Sequence, residues 1–122
     1  ATGRALRRLH ALPPSGHAFD LAAWPGHYRS ELEAAGRFDA EARQHWQHLA
    51  TTQPPGTRVF SHNDAVPANL VAGESGIRFI DWEYAGDNSP WFDLAVVVVE
   101  GRLDTVRRDI LLDAYLGAKA DA

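Results

Sequence analysis

The stretch His62-Asn63-Asp64-Ala65-Val66-Pro67-Ala68-Asn69, followed by Phe79-Ile80-Asp81-Trp82-Glu83-Tyr84 and then by Pro90-Trp91-Phe92-Asp93, decides how the rest of the chain is read. It supplies one carboxylate placed to accept a proton, then an amide and a second carboxylate placed to hold metal. Phosphoryl transfer from a nucleotide requires that combination. With 6 histidines, 10 aspartates and 3 asparagines in 122 residues, a chance His-x-Asp-x4-Asn match is expected roughly 0.01 times. The bland alternative is an Asx-rich turn in which Asn63, Asp64 and Asn69 bond their own backbone. The downstream Asp81 and Asp93 weigh against it.

Working outward, Val59 and Phe60 predict a short strand that delivers this segment. Leu70 and Val71 pair with residues 77–80 across Gly73 to Gly76, a hairpin that ends at Asp81 and sets its carboxylate on a rigid support. Upstream, Leu6 and Leu9 stand at helical spacing within 3–11, which Pro13 and Pro14 terminate. Pro25 and Gly26 break the next stretch. Residues 27–35 and 39–51 then read as helices, and Pro54, Pro55 and Gly56 mark a turn. Downstream, 96–99 is β-branched throughout, which suits a strand or a buried helix. Pro90 and Asp93 are start signals that favour the helix. In 104–116, Asp104 can cap, and Val106, Ile110, Leu111, Ala114 and Tyr115 make one apolar face. The terminal 118–122 is expected to fray.

From 62 to 95 the chain resembles the C-terminal lobe of the choline kinase and aminoglycoside phosphotransferase family, small-molecule relatives of the protein kinases. Residues 9–13, Leu-His-Ala-Leu-Pro, resemble the segment near the start of that lobe. The fold so implied is α+β and mainly helical, a protein-kinase-like C-lobe with a small β-hairpin carrying the catalytic and metal-binding loops. The resemblance makes Asp64 the catalytic aspartate, accepting a hydrogen bond from the substrate hydroxyl and then its proton. An ordinary aspartate has a pKa of about 3.9 and is a feeble base at neutral pH, so positioning counts for more than basicity. Asn69 and Asp81 would ligate Mg²⁺ beside ATP, since magnesium takes hard oxygen ligands and keeps several waters. His62 would pack behind the catalytic loop, and Asp93 would steady that loop through its backbone amides. A general-base role for His62 is the minority reading; a plain helix N-cap is compatible with the reading of Asp93.

Protein kinases follow the metal aspartate with a long activation loop that organises a peptide surface. Here only residues 82–89 separate Asp81 from Pro90, and no Ala-Pro-Glu triplet follows, so a small hydroxylated acceptor is expected. Asp81-Trp82-Glu83-Tyr84-Ala85-Gly86 looks closest to the choline and ethanolamine kinase branch, with thiamine kinase-like proteins near it. A quaternary ammonium needs aromatic faces and nearby negative charge, and Glu83, Tyr84 and Trp91 can supply both. Large aromatics also serve as core. Alternation about Asp81 turns Trp82 inward, and Trp91 fits either role. An aminoglycoside would favour a broad acidic cleft instead.

The nucleotide-holding half of such an enzyme uses a strand lysine and a covering loop that is often glycine-rich. The only lysine is Lys119, no Gly-x-Gly-x-x-Gly run occurs, and there is no methionine. Residues 1–122 are therefore expected to be a C-terminal lobe whose parent polypeptide adds an N-terminal lobe of β-strands, and to be inactive without it. Composition suits a globular piece, 45% hydrophobic and 23% charged. The longest apolar run, 94–99, is too short to cross a bilayer. A net charge of −4 argues against a nucleic-acid partner, which leaves a basic footprint, and Arg7 and Arg8 read as a solvated helix face. The absence of cysteine excludes disulfides and thiolate chemistry, and no secretory signal pattern opens the chain, so a cytoplasmic setting is expected. His45 and His48 lie three apart on a helix, but two histidines without a third ligand are a weak zinc signal; Trp46 between them reads as a core anchor. Two other classes stay open: a kinase-like binding domain without turnover, and an Asp/His/Asn metal hydrolase, which does not account for all three spacings together.

Overall fold

A computed structural model of the chain describes residues 1–20, 33–36, 39–52 and 56–117. Two compact units divide it, one of Ala1–Phe19 with Thr57–Ala122 and one of Asp20–Gly56. The larger holds every residue of the motif. Its elements are α1 (Thr2–His10), β1 (Val59–Ser61), a 3₁₀ turn (Pro67–Asn69), β2 (Leu70–Gly73), β3 (Gly76–Phe79) and β4 (Gly86–Asn88). Two helices close it, which we number α3 (Pro90–Glu100) and α4 (Thr105–Leu116), leaving α2 for Ala40–Thr51 in the smaller unit.

Helix α1 is central because its apolar residues recur at helical spacing, with Leu6 and Leu9 on one stripe. Leu6 is fully buried, and Leu9, Ala65, Leu94, Val97 and Leu111 complete the core. Burial of a leucine such as Leu6 contributes about 1.5–3 kcal/mol. The crossing of α1 over α4 is close because Gly3 has no side chain: a Cβ there would collide with the Leu111 carbonyl and with the Ala114 methyl. Asp104 caps α4 by accepting from the Arg107 amide at 2.8 Å.

Strands β2 and β3 form the expected antiparallel hairpin, with Leu70 opposite Phe79 and Gly73 opposite Gly76. Strand β1 pairs with β4, which was not expected, in the register Val59 to Asn88 and Ser61 to Gly86. Gly-Asp-Asn has poor strand propensity, so this pairing is imposed by its surroundings. The chain at 17–19 lies along the far side of β4, where the Asp87 amide donates to the His17 carbonyl at 2.7 Å and the Phe19 amide to the Asp87 carbonyl at 2.9 Å. Gly86 permits that approach, since a Cβ would stand 2.9 Å from the His17 oxygen. The Asp87 carboxylate locks the same segment by accepting from the Ser15 amide, the Ser15 hydroxyl and the Gly16 amide at 2.8, 2.9 and 2.9 Å. These bonds, the Ser15 amide foremost, hold its pKa below the usual carboxylate value.

Three expectations need correction. On α4, Val106 and Ile110 are 68% and 63% exposed, and the inward face is formed by Leu111, Leu112 and Tyr115 with Leu103. Helix α3 is helical through 96–99, yet it buries only one side, Leu94 and Val97, and leaves Val99 out. Trp82 is not a core residue but 42% exposed. Asp81 adopts a left-handed backbone, φ 60°, which breaks the strand alternation, and Trp82 folds back to donate from Nε1 to the Phe79 carbonyl at 3.1 Å.

In the smaller unit, α2 starts at Asp39, whose carboxylate accepts from the Ala42 amide at 2.9 Å. Arg43 pairs with Glu33 across the surface at 3.2 Å, an interaction worth little in solvent. Residues 33–34 of the expected 27–35 helix are helical and Ala35 is in a turn; 27–32 lie outside the described residues. So do the breaks at Pro25, Gly26, Pro54 and Pro55, the end at 118–122 with Lys119, and the side chain of Trp46. His45 and His48 are exposed. No group of three His, Cys, Asp or Glu side chains that could hold a metal occurs among the described residues. No helix among them is long and apolar enough to cross a membrane.

Candidate active site

The segment after β1 is held from behind by one carboxylate. Asp93, completely buried in the first turn of α3, accepts from the His62 amide at Oδ2 (2.9 Å) and from the Asn63 amide at Oδ1 (2.8 Å). Pro90 starts α3 without needing its own donor, and a carboxylate in the first turn faces the positive end of the helix. His10 of α1 adds a third bond, Nε2 to Oδ2 at 3.0 Å, and its Nδ1 is 2.8 Å from the Tyr115 hydroxyl of α4. Burial, and then the Asp93 charge, push the Tyr115 phenol above its ordinary pKa.

His62 is also fully buried and joins two loops. Its Nδ1 accepts from the Asp64 amide at 3.2 Å, which assigns the ring proton to Nε2, 2.8 Å from the Ile80 carbonyl. Trp82 packs edge-on to this ring at 4.8 Å between centroids and stacks on Phe60 at 6.2 Å. Neither ring nitrogen of His62 is open to a substrate.

Asp64 and Asn69 meet directly. The Asn69 amide nitrogen donates to the Asp64 carbonyl at 2.9 Å and to its carboxylate Oδ2 at 3.1 Å. The 3₁₀ turn makes this reach possible, with the Val66 amide bonded to the Asp64 carbonyl and the Asn69 amide to the Val66 carbonyl. Asp81 arrives beside them because the Ile80 amide donates to the Asn69 carbonyl at 3.0 Å, extending the hairpin ladder by one bond. Desolvation raises the pKa of Asp64; the charges of Asp81 and Glu100 add to it, while His62 and the Asn69 hydrogen bond oppose it.

The expected acceptor-binding residues are more dispersed. Glu83 and Tyr84 lie in the turn before β4, Glu83 exposed and Tyr84 half-buried. Trp91, in the first turn of α3, is 48% exposed, so of its two readings the core one does not hold. Among the described residues no hydrogen bond joins Glu83 or Trp91 to Asp64, Asn69 or Asp81.

Sequence reasoning passed over four contributors. Glu100 is two helical turns beyond Asp93, on the same face of α3, and that spacing was the available signal. His10 had only its place in 9–13 to mark it. Asn63 adopts a left-handed backbone, φ 66°, and with Asn88 forms a buried amide pair at 2.9 Å.

The donor set Asp81 and Asn69 fits a hard divalent cation. With its nitrogen committed to Asp64, buried Asn69 would hold such an ion through its Oδ1. Two hard oxygen side chains are the protein's share that Mg²⁺ accepts when waters and phosphate oxygens supply the remainder.

A mainly helical lobe, with a hairpin that brings an aspartate, an asparagine and a second aspartate together, defines the kinase-like class of phosphotransferase. The chain belongs to the phosphotransferase enzyme family, whose model matches residues 1–122. It is 44% identical over 83 residues to protein LicA of Haemophilus influenzae, 68% of this chain and 24% of that protein. It is 34% identical over 119 residues to a thiamine kinase of Salmonella typhimurium, covering 96% of this chain and 42% of that enzyme. Among solved structures, a choline/ethanolamine kinase family protein from Mesorhizobium loti superposes with a TM-score of 0.72 at 28% identity, over 94% of this chain and 42% of that one. The choline kinase LicA from Streptococcus pneumoniae shares the fold, with a TM-score of 0.64 at 23% identity over 93% of this chain and 42% of that one. The chain thus spans less than half the length of the relatives it matches.

Proposed function

We propose that residues 1–122 are the catalytic lobe of an ATP-dependent kinase that phosphorylates the hydroxyl of a small cationic alcohol, choline or a related amino alcohol. The observation that carries this reading is the direct Asp64–Asn69 contact, with Asp81 brought next to it by the Ile80 to Asn69 backbone bond. Asp64 accepts a hydrogen bond from the acceptor hydroxyl and takes its proton as the oxygen meets phosphorus. Its rigid mounting through Asp93 and His62 supplies alignment, the larger part of catalysis when the transition state is loose. Asn69 and Asp81 hold Mg²⁺, which neutralises charge on the nucleotide phosphates when bound. A lobe beyond these 122 residues, in the same polypeptide, completes the nucleotide site; the 42% coverage of the thiamine kinase supports that view.

Acceptor class follows from charge and aromatic content. The Asp81 and Glu100 carboxylates lie near enough to Asp64 for their charges to disfavour its ionisation; with Asp81 given to the metal, Glu100 is the charge left to favour a cationic acceptor. Tyr84 and Glu83 stand in the turn that follows Asp81. A permanent cation carrying a primary hydroxyl suits such a site, and both choline and thiamine have that chemistry. The thiamine kinase likeness over 119 residues supports thiamine as the second reading.

The test uses the full-length protein with Mg·ATP and choline, ethanolamine, thiamine and an aminoglycoside panel. Asp64→Ala is expected to fold and to lose transfer by about 10²–10⁴-fold. Undiminished transfer by that variant would refute the assigned base, and ATP-independent release of phosphate from esters would replace the kinase reading with a hydrolase.

A further inference from the structure

Asn63 connects two loops that the motif treats separately. Its main chain belongs to the catalytic loop, one residue before Asp64, with its amide fixed on Asp93. Its side chain points the other way, and the nitrogen donates to the Tyr84 carbonyl at 2.9 Å and to the Gly86 carbonyl at 3.3 Å. The oxygen accepts from Asn88 Nδ2 at 2.9 Å. Asn63 and Asn88 are each 2% exposed, so water does not replace these bonds.

The orientation of both amides is dictated by chemistry. Asn88 Oδ1 accepts from the Ser89 amide at 2.7 Å, and a backbone N–H can face only an acceptor. Asn88 must therefore turn its nitrogen to Asn63, which must in turn aim its own nitrogen at the two carbonyls. The result is a one-directional chain from the start of α3 through Asn88 and Asn63 to the backbone at 84 and 86. An αL backbone at Asn63 is what aims the side chain across, and asparagine tolerates that conformation better than most residues.

We infer that the Asn63–Asn88 pair positions the 84–86 segment against Asp64, making both asparagines positioning residues for the acceptor side of the reaction. The acceptor part of this inference rests on the proposed role of Tyr84. The nucleotide side is built from Asn69 and Asp81, which the pair does not touch. Loss of the Asn63 side chain removes both of its bonds to the 84–86 backbone, loss of Asn88 removes the bond that orients Asn63 for them, and either change leaves the Asp64–Asn69 contacts in place.

The experiment takes the full-length protein with Asn88→Ala, in steady-state kinetics with choline and Mg·ATP and in hydrogen–deuterium exchange. The expected result is a rise of about tenfold in KM for choline, the equivalent of one lost buried hydrogen bond, with KM for ATP within about twofold. Exchange should accelerate across 81–88, where the Ala85 and Asp87 amides report, and stay unchanged in α1 and α4. Equal changes in both KM values, or no acceleration across 81–88, would overturn the inference. Asn88→Asp keeps the shape and the acceptor for Ser89 but cannot donate; unsubstituted behaviour in it would also overturn the inference. Should Asn88→Ala fail to fold, Asn63→Gly keeps the left-handed backbone, removes the bond from Asn88 together with the bonds to the Tyr84 and Gly86 carbonyls, and is read by the same outcomes. If the unsubstituted protein phosphorylates none of the acceptors, the proposed function fails by itself, and the exchange comparison still decides whether the pair couples the two loops.

Discussion

Replacing Asp93 with asparagine changes one atom and puts the anchoring of the catalytic loop to the test. The carboxylate accepts three bonds, from the His62 and His10 nitrogens at Oδ2 and from the Asn63 amide at Oδ1. An asparagine that keeps its oxygen at the Oδ2 position retains two of them and turns its NH₂ against the Asn63 N–H. The reverse orientation forfeits two. The smaller loss is thus one bond to a charged acceptor, with a buried donor left unpaired and the other two bonds weakened. That amounts to about 2–4 kcal/mol. Set against the 5–15 kcal/mol typical of a domain, the variant folds, with a lower urea midpoint at pH 7. Turnover of the full-length protein should fall further than binding, since a displacement of about 1 Å at the reacting group costs on the order of 10²-fold. A destabilisation below about 0.5 kcal/mol together with full turnover would show that the two amides have other partners and that Asp93 is not the anchor.

Asp87 predicts a pH dependence of stability. Its folded-state pKa lies below the unfolded value, so its contribution is complete above that unfolded value, about 3.9, and is lost as pH falls through the folded value. Asp87→Asn should be less stable than the unsubstituted protein at pH 6 and lose less on acidification; parallel curves in chemical denaturation would count against the clamp. Gly3→Ala should destabilise by about 1–3 kcal/mol, because the added methyl meets the Leu111 backbone, and a neutral thermal shift would mean that α1 and α4 are further apart than described. Tyr115→Phe removes the hydroxyl from His10 Nδ1 and should cost about 1 kcal/mol by urea titration, with no change expected if that bond is not formed.

The fold was legible where local chemistry and tertiary demand agree. Gly73 and Gly76 bracket a hairpin of two short, mainly apolar runs, and Asp39 and Asp104 cap their helices as side-chain acceptors. Reading failed where the surroundings prevail over propensity. Gly86, Asp87 and Asn88 form a strand only because β1 and the 17–19 segment lie on either side of them. Val106 and Ile110 stand four apart at helical spacing, but spacing alone does not say which side of a helix is covered. At the site, the residues that meet or lie beside Asp64 were visible through a rare spacing. Those that act by holding others, His10, Asn63 and Asn88, were not, because a buried amide pair is written in no periodicity. Glu100 shows an intermediate case, legible once α3 is known to be a helix.

The Asn69 amide leans on Asp64 through both a carbonyl and a carboxylate oxygen, so the two positions cannot vary independently. In a library randomised at both codons, a change at one strips the other of its orientation, and the second substitution should then add little further harm. Such epistasis is a fitness signature of shared geometry, readable from growth selection without any purified protein.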